Sequence, residues 1–552
     1  MTLTGAQIIM ECLLEQGVDT IFGYPGGQIM PLYDALYDYT EDGRIRHILT
    51  SHEQGATHAA DGYARSSGKV GVCFATSGPG ATNTVTGIAT AYMDSSPIVV
   101  ITGQVSVAAI GRDSFQEVDI VGVTLPITKH SFALRDAADV GPAVREAFQI
   151  AKSGRPGPVL IDVPRDLFVA RAEYKRETPL PVLAPPAVPR ERIERLAAYI
   201  NESERPVLYA GGGVNIADAS AELTKLAQKA QIPVGTTLMC LGCFDRQDPL
   251  SLGIIGMHGQ REANLAAHNC DLLIAAGARF SDRVTGDVSR FARGAKIVHI
   301  DVDQSEIGKN VDADYCIVGD VKEALAALIP KVKRADRKAW IAQVGSYVRA
   351  APSGNRFDPA AVIGTVHAVF GDETIVATDV GQHQMWTAQQ WPFRKPRRLI
   401  TSGGLGTMGF GMGAAIGSKI ANPGKRVVLF TGDGSFRMNC NELMTVSALG
   451  LSITVFVLKN HTLGMVRQWQ KLFWRKRYSA TDLPDVLDYV KFCGAVGLKG
   501  WEVDNTDDLK RAAEEARDSG KAAVIVCDVG TDENVWPIVP PGDSIDHQVM
   551  SE

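Results

Sequence analysis

The 552-residue chain has no apolar run of the ~18 residues that a membrane-spanning helix needs. It has no basic excess either. Its 56 Lys and Arg against 62 Asp and Glu give a net charge of -6, which leaves no electrostatic footprint for nucleic acid. Cysteine is scattered and odd in number, at nine, so a disulfide framework is not expected and a reducing, cytoplasmic setting is. The one CxxC spacing, Cys240-Leu241-Gly242-Cys243, has no second pair or His partner at zinc-finger distance and reads as packing near a loop. The opening MTLTGAQIIMECLLEQG lacks the basic segment and cleavage site of a signal peptide and reads as an amphipathic helix.

What is present is an ordinary globular composition, 45% hydrophobic and 21% charged, long enough for three or four domains. Thr178 to Arg190 holds five prolines in thirteen residues and reads as an extended linker over 178–190. A second boundary is expected around Ala351 to Pro359, giving domains over 1–177, 191–345 and 355–552. Each block alternates apolar runs with helical patterns. The strand candidates are Ile45–Leu49, Val70–Ala75, Ile98–Thr102 and Val159–Val163, then Val207–Ala210, Leu272–Ala276 and Ile297–Asp301. The last block adds Thr374–Thr378, Arg426–Thr431, Ile453–Leu458 and Ala523–Asp528. Apolar runs without alternation imply strands covered on both faces, hence α/β units built on parallel sheets. Ligands in such sheets sit beyond the carboxyl ends of the strands.

One such end reads Gly432-Asp433-Gly434. The glycines suit left-handed geometry and close approach to a ligand, Asp433 offers a hard oxygen, and a helix is expected to start near Ser435 or Asn439. The next strand ends at Asn460, 27 residues after Asp433, so two successive parallel strands would deliver both side chains to one edge. A carboxylate, an amide oxygen, a carbonyl and diphosphate oxygens make an octahedral set for Mg2+.

This spacing resembles the motif of the thiamine-diphosphate-dependent enzymes. The resemblance implies that Asp433, Asn460 and the Thr462 carbonyl hold the metal, with Gly432, Gly434 and Ser435 beside the diphosphate. Lys459 stands where the family has a first Asn; whether it lies beside the diphosphate or points into a neighbouring loop is open at this stage. Ser51-His52-Glu53-Gln54-Gly55-Ala56 is similar to the family stretch whose Glu shares a proton with the aminopyrimidine, which makes Glu53 the expected activating acid. The loops holding Pro25, Gly26 and Gly27, and Ser77, Gly78 and Asn83, match two further cofactor loops. In the family the acid and the metal site come from different subunits, so a homodimer or homotetramer is implied.

The loops Gly381–Trp386, Thr401–Gly411, Leu463–Trp469 and Asp113–Glu117, with the closing WPIVPPG, are similar to the biosynthetic acetohydroxyacid synthase (acetolactate synthase) catalytic subunits. That family is α/β, with three doubly wound parallel-sheet domains: pyrimidine-binding, flavin-binding and diphosphate-binding. Its activity implies decarboxylation of pyruvate and transfer of the two-carbon unit to a second pyruvate or 2-oxobutyrate, in branched-chain amino acid biosynthesis. By this resemblance Val380, Gly381, Gln382, His383, Gly406, Leu463 and Gly464 line the cofactor, and Met408 supports its bent shape. Gln116 and Gly27 face the reacting centre. Phe115, Met465, Val466 and Trp469 shape the substrate pocket.

The middle block resembles the family's FAD site through Gly211-Gly212-Gly213, Met257, His258, Gly277, Arg279, Asp282, Arg283 and Asp301, with Ser281 in place of an Asp. Arg283 is expected near the carboxylate of the 2-oxo acid, and Arg165 replaces a family Lys near the cofactor or substrate. Pyruvate oxidase, glyoxylate carboligase and a non-catalytic cofactor-binding scaffold are the rival readings. A small regulatory subunit is left open, as is the preference between the two 2-oxo acids.

Overall fold

Runs such as Val427-Val428-Leu429-Phe430 bury both faces only when a sheet is sandwiched between helices, and three such sheets form here. The computed structural model describes residues 1–348 and 357–551, so most of the boundary expected at Ala351–Pro359 lies outside the described residues. The first sheet runs, in spatial order, Arg46–Leu49, Thr20–Gly23, Gly71–Ala75, Ile98–Gln104, Val159–Pro164 and His130–Ala133. The third runs Leu399–Ile400, Ile375–Thr378, Val427–Gly432, Ile453–Lys459, Ala523–Asp528 and Lys499–Val503. Numbered along the chain, both have the order 2-1-3-4-6-5, with every neighbouring pair parallel.

The middle sheet differs. Its strands Ser251–Ile254, Val234–Thr236, Pro206–Ala210, Leu272–Ala276, Lys296–Asp301 and Tyr315–Val318 have the order 3-2-1-4-5-6 of dinucleotide-binding folds. Residues 175–189, between the first and middle sheets, carry no helix or strand, and Arg190, the last residue of the stretch read as a linker, already opens the helix Arg190–Glu202. The N-terminus corrects an expectation: Thr2–Thr4 is a strand paired antiparallel with Arg171–Glu173, and the helix begins at Gly5, where Thr4 and Gln7 form a capping box.

The first and third units are joined through equivalent elements. The helix Glu53–Ser67 follows the second strand of the first sheet, and Phe410–Ala421 follows the second strand of the third. They meet through glycines and alanines. A Cβ on Gly62 would collide with the Ala414 carbonyl, and one on Gly417 with the Ala59 carbonyl. At Gly413 it would sit 2.8 Å from both the Gly55 oxygen and the His58 Cβ. One apolar core, holding Ala59, Tyr63, Phe410 and Ala414, runs through the joint. Gly417→Val should therefore lower the urea-unfolding free energy by about 1–3 kcal/mol or more through overpacking, whereas Gly424→Ala, facing open space, should stay within about 0.5 kcal/mol.

Candidate functional site

The register Gly432↔Leu458 sets the residues after Val427–Gly432 beside those after Ile453–Lys459, so Asp433 and Asn460 emerge at one edge. Two expectations need correction. The helix starts at Asp433 itself, spanning Asp433–Asn439, and neither Gly432 nor Gly434 has a positive φ; Gly432 is extended at φ −91°. What these glycines provide is room. A Cβ on Gly432 would lie 2.9 Å from His383 Nδ1, and one on Gly434 would lie 2.7 Å from Leu463 Cδ2 and 3.8 Å from Met408 Cε.

Asp433 is buried. Burial raises its carboxyl pKa, and the His461 and Gly434 N–H groups, at 2.8 and 3.0 Å, oppose that rise. Asn460 is oriented by a relay of amides. Gln468 Oε1 accepts both Val535 N–H and Gln382 Nε2, and Gln382 Nε2 also donates to the Glu533 carbonyl. Gln382 Oε1 then accepts Asn460 Nδ2 at 3.1 Å, which leaves the Asn460 oxygen facing the Thr462 amide. Thr462 is pinned by its hydroxyl to the Thr481 carbonyl at 2.8 Å. Gly464 has no space for a side chain against Gln382 and Asn460. Among the described residues no group of three His, Cys, Asp or Glu could hold a metal, so this trio would need diphosphate oxygens to complete an octahedron.

The structure answers the question at Lys459. Its ammonium lies 3.2 Å from Asp485, in the loop before the helix Tyr489–Ala495, and 3.5 Å from Glu502 on the edge strand Lys499–Val503.

Beside the trio, His383 is buried with Nε2 unpartnered, and burial lowers its pKa to about 3. A buried ring nitrogen without a partner fits a ligand oxygen at this place. Val380 approaches Gly406, and its carbonyl accepts the Ser435 hydroxyl at 3.1 Å. Asp379 went unnoticed in the sequence, although it follows its strand just as Asp433 does. It is fully buried and accepts the Val380, Gly409 and Gly411 N–H groups, which fixes the segment around Met408. Burial raises its pKa to about 6.

At the matching edge of the first sheet, Glu53 opens its helix and accepts Asn83 Nδ2 at 3.0 Å. A Cβ on Gly26 would strike Thr76, one on Gly80 would come within 3.1 Å of Glu53 Oε1, and Gly78, at φ +56°, lies against the Gln116 backbone. The Pro25–Gly27, Ser77–Asn83 and Gln116 loops are thus gathered around Glu53. Ser77 Oγ is buried there without a partner. Phe115 is 84% exposed and Arg165 is exposed.

At the switch point of the middle sheet, Gly211 and Gly213 meet Gly277: Gly211 N–H donates to Ala276 and Gly213 N–H to Gly277. The glycine triplet expected to approach a phosphate is used first for this loop-to-loop contact. Ser281 caps the helix Asp282–Thr285 by accepting Arg283 N–H, so the departure there keeps a capping group. His258 Nδ1 is buried and unpartnered, and Asp301 accepts Asp303 N–H. Arg279 is half-buried and Asp282 exposed. Arg283 lies 4.0 Å from Met257 Sδ and 5.6 Å from the Trp469 ring centre. Trp469 lines a cleft of about 650 Å³ with Met465, Val466, Trp474 and Arg477, so it is not plain core. All nine cysteines are free, and Cys240 and Cys243 are buried. No helix among the described residues is long and apolar enough to cross a membrane.

Family models of thiamine pyrophosphate (thiamine diphosphate) enzymes match the chain at three places: the N-terminal TPP binding domain at 3–123, the central domain at 193–328 and the C-terminal TPP binding domain at 379–527. The acetolactate synthase large subunit of Parasynechococcus marenigrum is 48% identical over 98% of this chain and 90% of its own length. The probable acetolactate synthase large subunit of Methanocaldococcus jannaschii is 46% identical, over 99% and 95%. The acetolactate synthase isozyme 1 large subunit of Escherichia coli is 44% identical, over 98% and 96%.

Asp379 has a pH consequence. Because its folded pKa is raised from 3.8 to about 6, its contribution opposes folding once it ionises, and that cost disappears below the unfolded value. Asp379→Asn should flatten the stability of the cofactor-free protein between pH 4 and 6 by up to about 3 kcal/mol, measured by denaturant unfolding at each pH.

Proposed function

Since the chain belongs to the thiamine pyrophosphate enzymes and, within them, to the acetolactate synthase large subunits, we propose that it decarboxylates pyruvate and joins the two-carbon unit to a second 2-oxo acid. With pyruvate as acceptor the product is 2-acetolactate; with 2-oxobutyrate it is 2-aceto-2-hydroxybutyrate. Bound thiamine diphosphate supplies the carbanion and the electron sink for this chemistry. The observation that carries the reading is the shared edge of Asp433, Asn460 and Thr462, with the unpartnered His383 beside it.

In this reading Asp433 and Asn460 give their side-chain oxygens, and Thr462 its carbonyl, to Mg2+. His383 Nε2 and the Ser435 region take the diphosphate, and Val380, Gly406 and Met408 support the rings. Glu53 holds a proton at the aminopyrimidine nitrogen, with Asn83 fixing its carboxylate. The Gly27 backbone and Gln116 face the reacting carbon. Arg283 binds the carboxylate of a 2-oxo acid with its guanidinium, over the wall formed by Met465, Val466 and Trp469. That apolar wall keeps water from quenching the reactive carbon.

The Glu53 end and the Asp433 edge meet across a subunit boundary, so the working unit is at least a homodimer, with exposed Phe115 and Arg165 entering the partner's site. The middle unit holds FAD at its switch point, through the Gly211–Gly213, Met257–His258, Gly277–Arg283 and Asp301 segments; the dinucleotide-binding strand order supports this. The name "large subunit" of the relatives supports a small regulatory partner, and nine free thiols support a reducing, cytoplasmic location. Glu53→Gln should lower acetolactate formation by about 10²-fold or more while cofactor binding, followed by fluorescence titration, persists. Asp433→Ala should lose magnesium-dependent cofactor binding itself. Undiminished turnover by Glu53→Gln would refute the reading.

A further inference from the structure

Glu442 belongs to none of the site groups, yet its carboxylate is fully buried between the first and third units. It closes the 3-10 turn Cys440–Glu442, which continues the helix Asp433–Asn439. Both of its oxygens accept the Ser51 N–H at 3.1 Å, and Oε2 also accepts the Thr445 hydroxyl at 2.7 Å. The Ser51 hydroxyl donates to the Asn441 carbonyl at 3.0 Å and lies 3.3 Å from Thr445 Oγ1. Gly55 completes the fit, because a Cβ there would collide with Glu442 Oε1. The turn that carries Glu53 is therefore gripped at Ser51 before it and at Gly55 after it, by one carboxylate of the third unit. Glu53's own side chain is tied to Asn83 within the first unit. A negative group at this helix start is also favoured by the helix dipole.

We propose that Glu442 is a positioning residue for Glu53. It fixes the N-terminus of the helix Glu53–Ser67 and, through it, the direction in which the Glu53 carboxyl is presented. The proposal rests on the reading of Glu53 as the proton-sharing acid. A carboxylate that merely glued two units together would affect melting but not the rate of correctly folded enzyme. A positioning group acts on turnover, because a misplacement of about 1 Å in a catalytic group can cost about 10²-fold.

The experiment compares Glu442→Gln, Glu442→Ala and Glu53→Gln in the full-length protein. Hydrogen–deuterium exchange of the cofactor-free protein is read at amides 51–56, and kcat and KM for pyruvate are measured on folded, cofactor-saturated enzyme. In Glu442→Ala, exchange at 51–56 should rise by about tenfold, kcat should fall by about 10–100-fold, and KM should stay within about twofold. Glu442→Gln keeps the shape and one acceptor, so it should show smaller changes of the same kind; it carries the test if the alanine variant does not fold. Unchanged exchange at 51–56, or a lowered melting temperature with unchanged kcat, overturns the proposal while a dead Glu53→Gln leaves the Glu53 reading standing. Full turnover by Glu53→Gln overturns that reading and the proposal with it.

Discussion

The helix Glu53–Ser67 can lie on Phe410–Ala421 only because glycine and alanine line the contact. At Gly62, Gly413 and Gly417 the partner backbone occupies the space that a Cβ would need. Backbones this close fix the two helices against sliding, since any shift would drive an oxygen into an α-carbon. Each helix begins at a strand-derived edge that matters chemically: one at Glu53, the other at Gly409 and Gly411, where Asp379 takes the N–H groups and so holds the segment around Met408. The joint therefore sets where Glu53 of one unit and the Met408 segment of the other lie within a single chain. Arg65 reinforces it, pairing with Asp61 and Asp94 and donating to the Thr401 carbonyl at 2.7 Å.

The two units so joined share the strand order 2-1-3-4-6-5, and both gather their candidate loops after strands 1, 2 and 3. In the third unit the residues after strand 4 join them. Orientation there depends on amides rather than charges: Gln468 sets Gln382, Gln382 sets Asn460, and the Asn460 oxygen is left as the acceptor. In the first unit the same kind of edge presents Glu53 where the third unit presents Asp433 and Asn460. The division of labour fits a cofactor with a charged tail and a ring that needs a proton partner.

Much of this was readable from residue order. The central strands are unbroken apolar runs, so Leu272–Ala276 and Ala523–Asp528 appear with the boundaries their sequences imply. Edge strands such as His130–Ala133 and Lys499–Val503 are half-polar and gave no such signal. That Asp433 and Asn460 emerge at one sheet edge was legible from their spacing after two apolar strands, whereas Glu53 was singled out by its resemblance to a family stretch. Asp379 and Glu442 were not legible, because the Gly409, Gly411 and Ser51 N–H groups that they accept lie 30 to 391 residues away, which no local pattern records. The glycines of Gly432-Asp433-Gly434 misled for a related reason: they serve the His383 and Leu463 side chains, not a left-handed turn.

If each active centre takes Glu53 from one chain and Asp433 from another, two inactive variants should rescue each other. Equal amounts of Glu53→Gln and Asp433→Ala protein, dissociated and reassembled together, should regain about a quarter of wild-type acetolactate formation, because half of the dimers then carry one intact centre of two. A mixture that stays inactive, although mixed dimers are shown to form, would contradict the account.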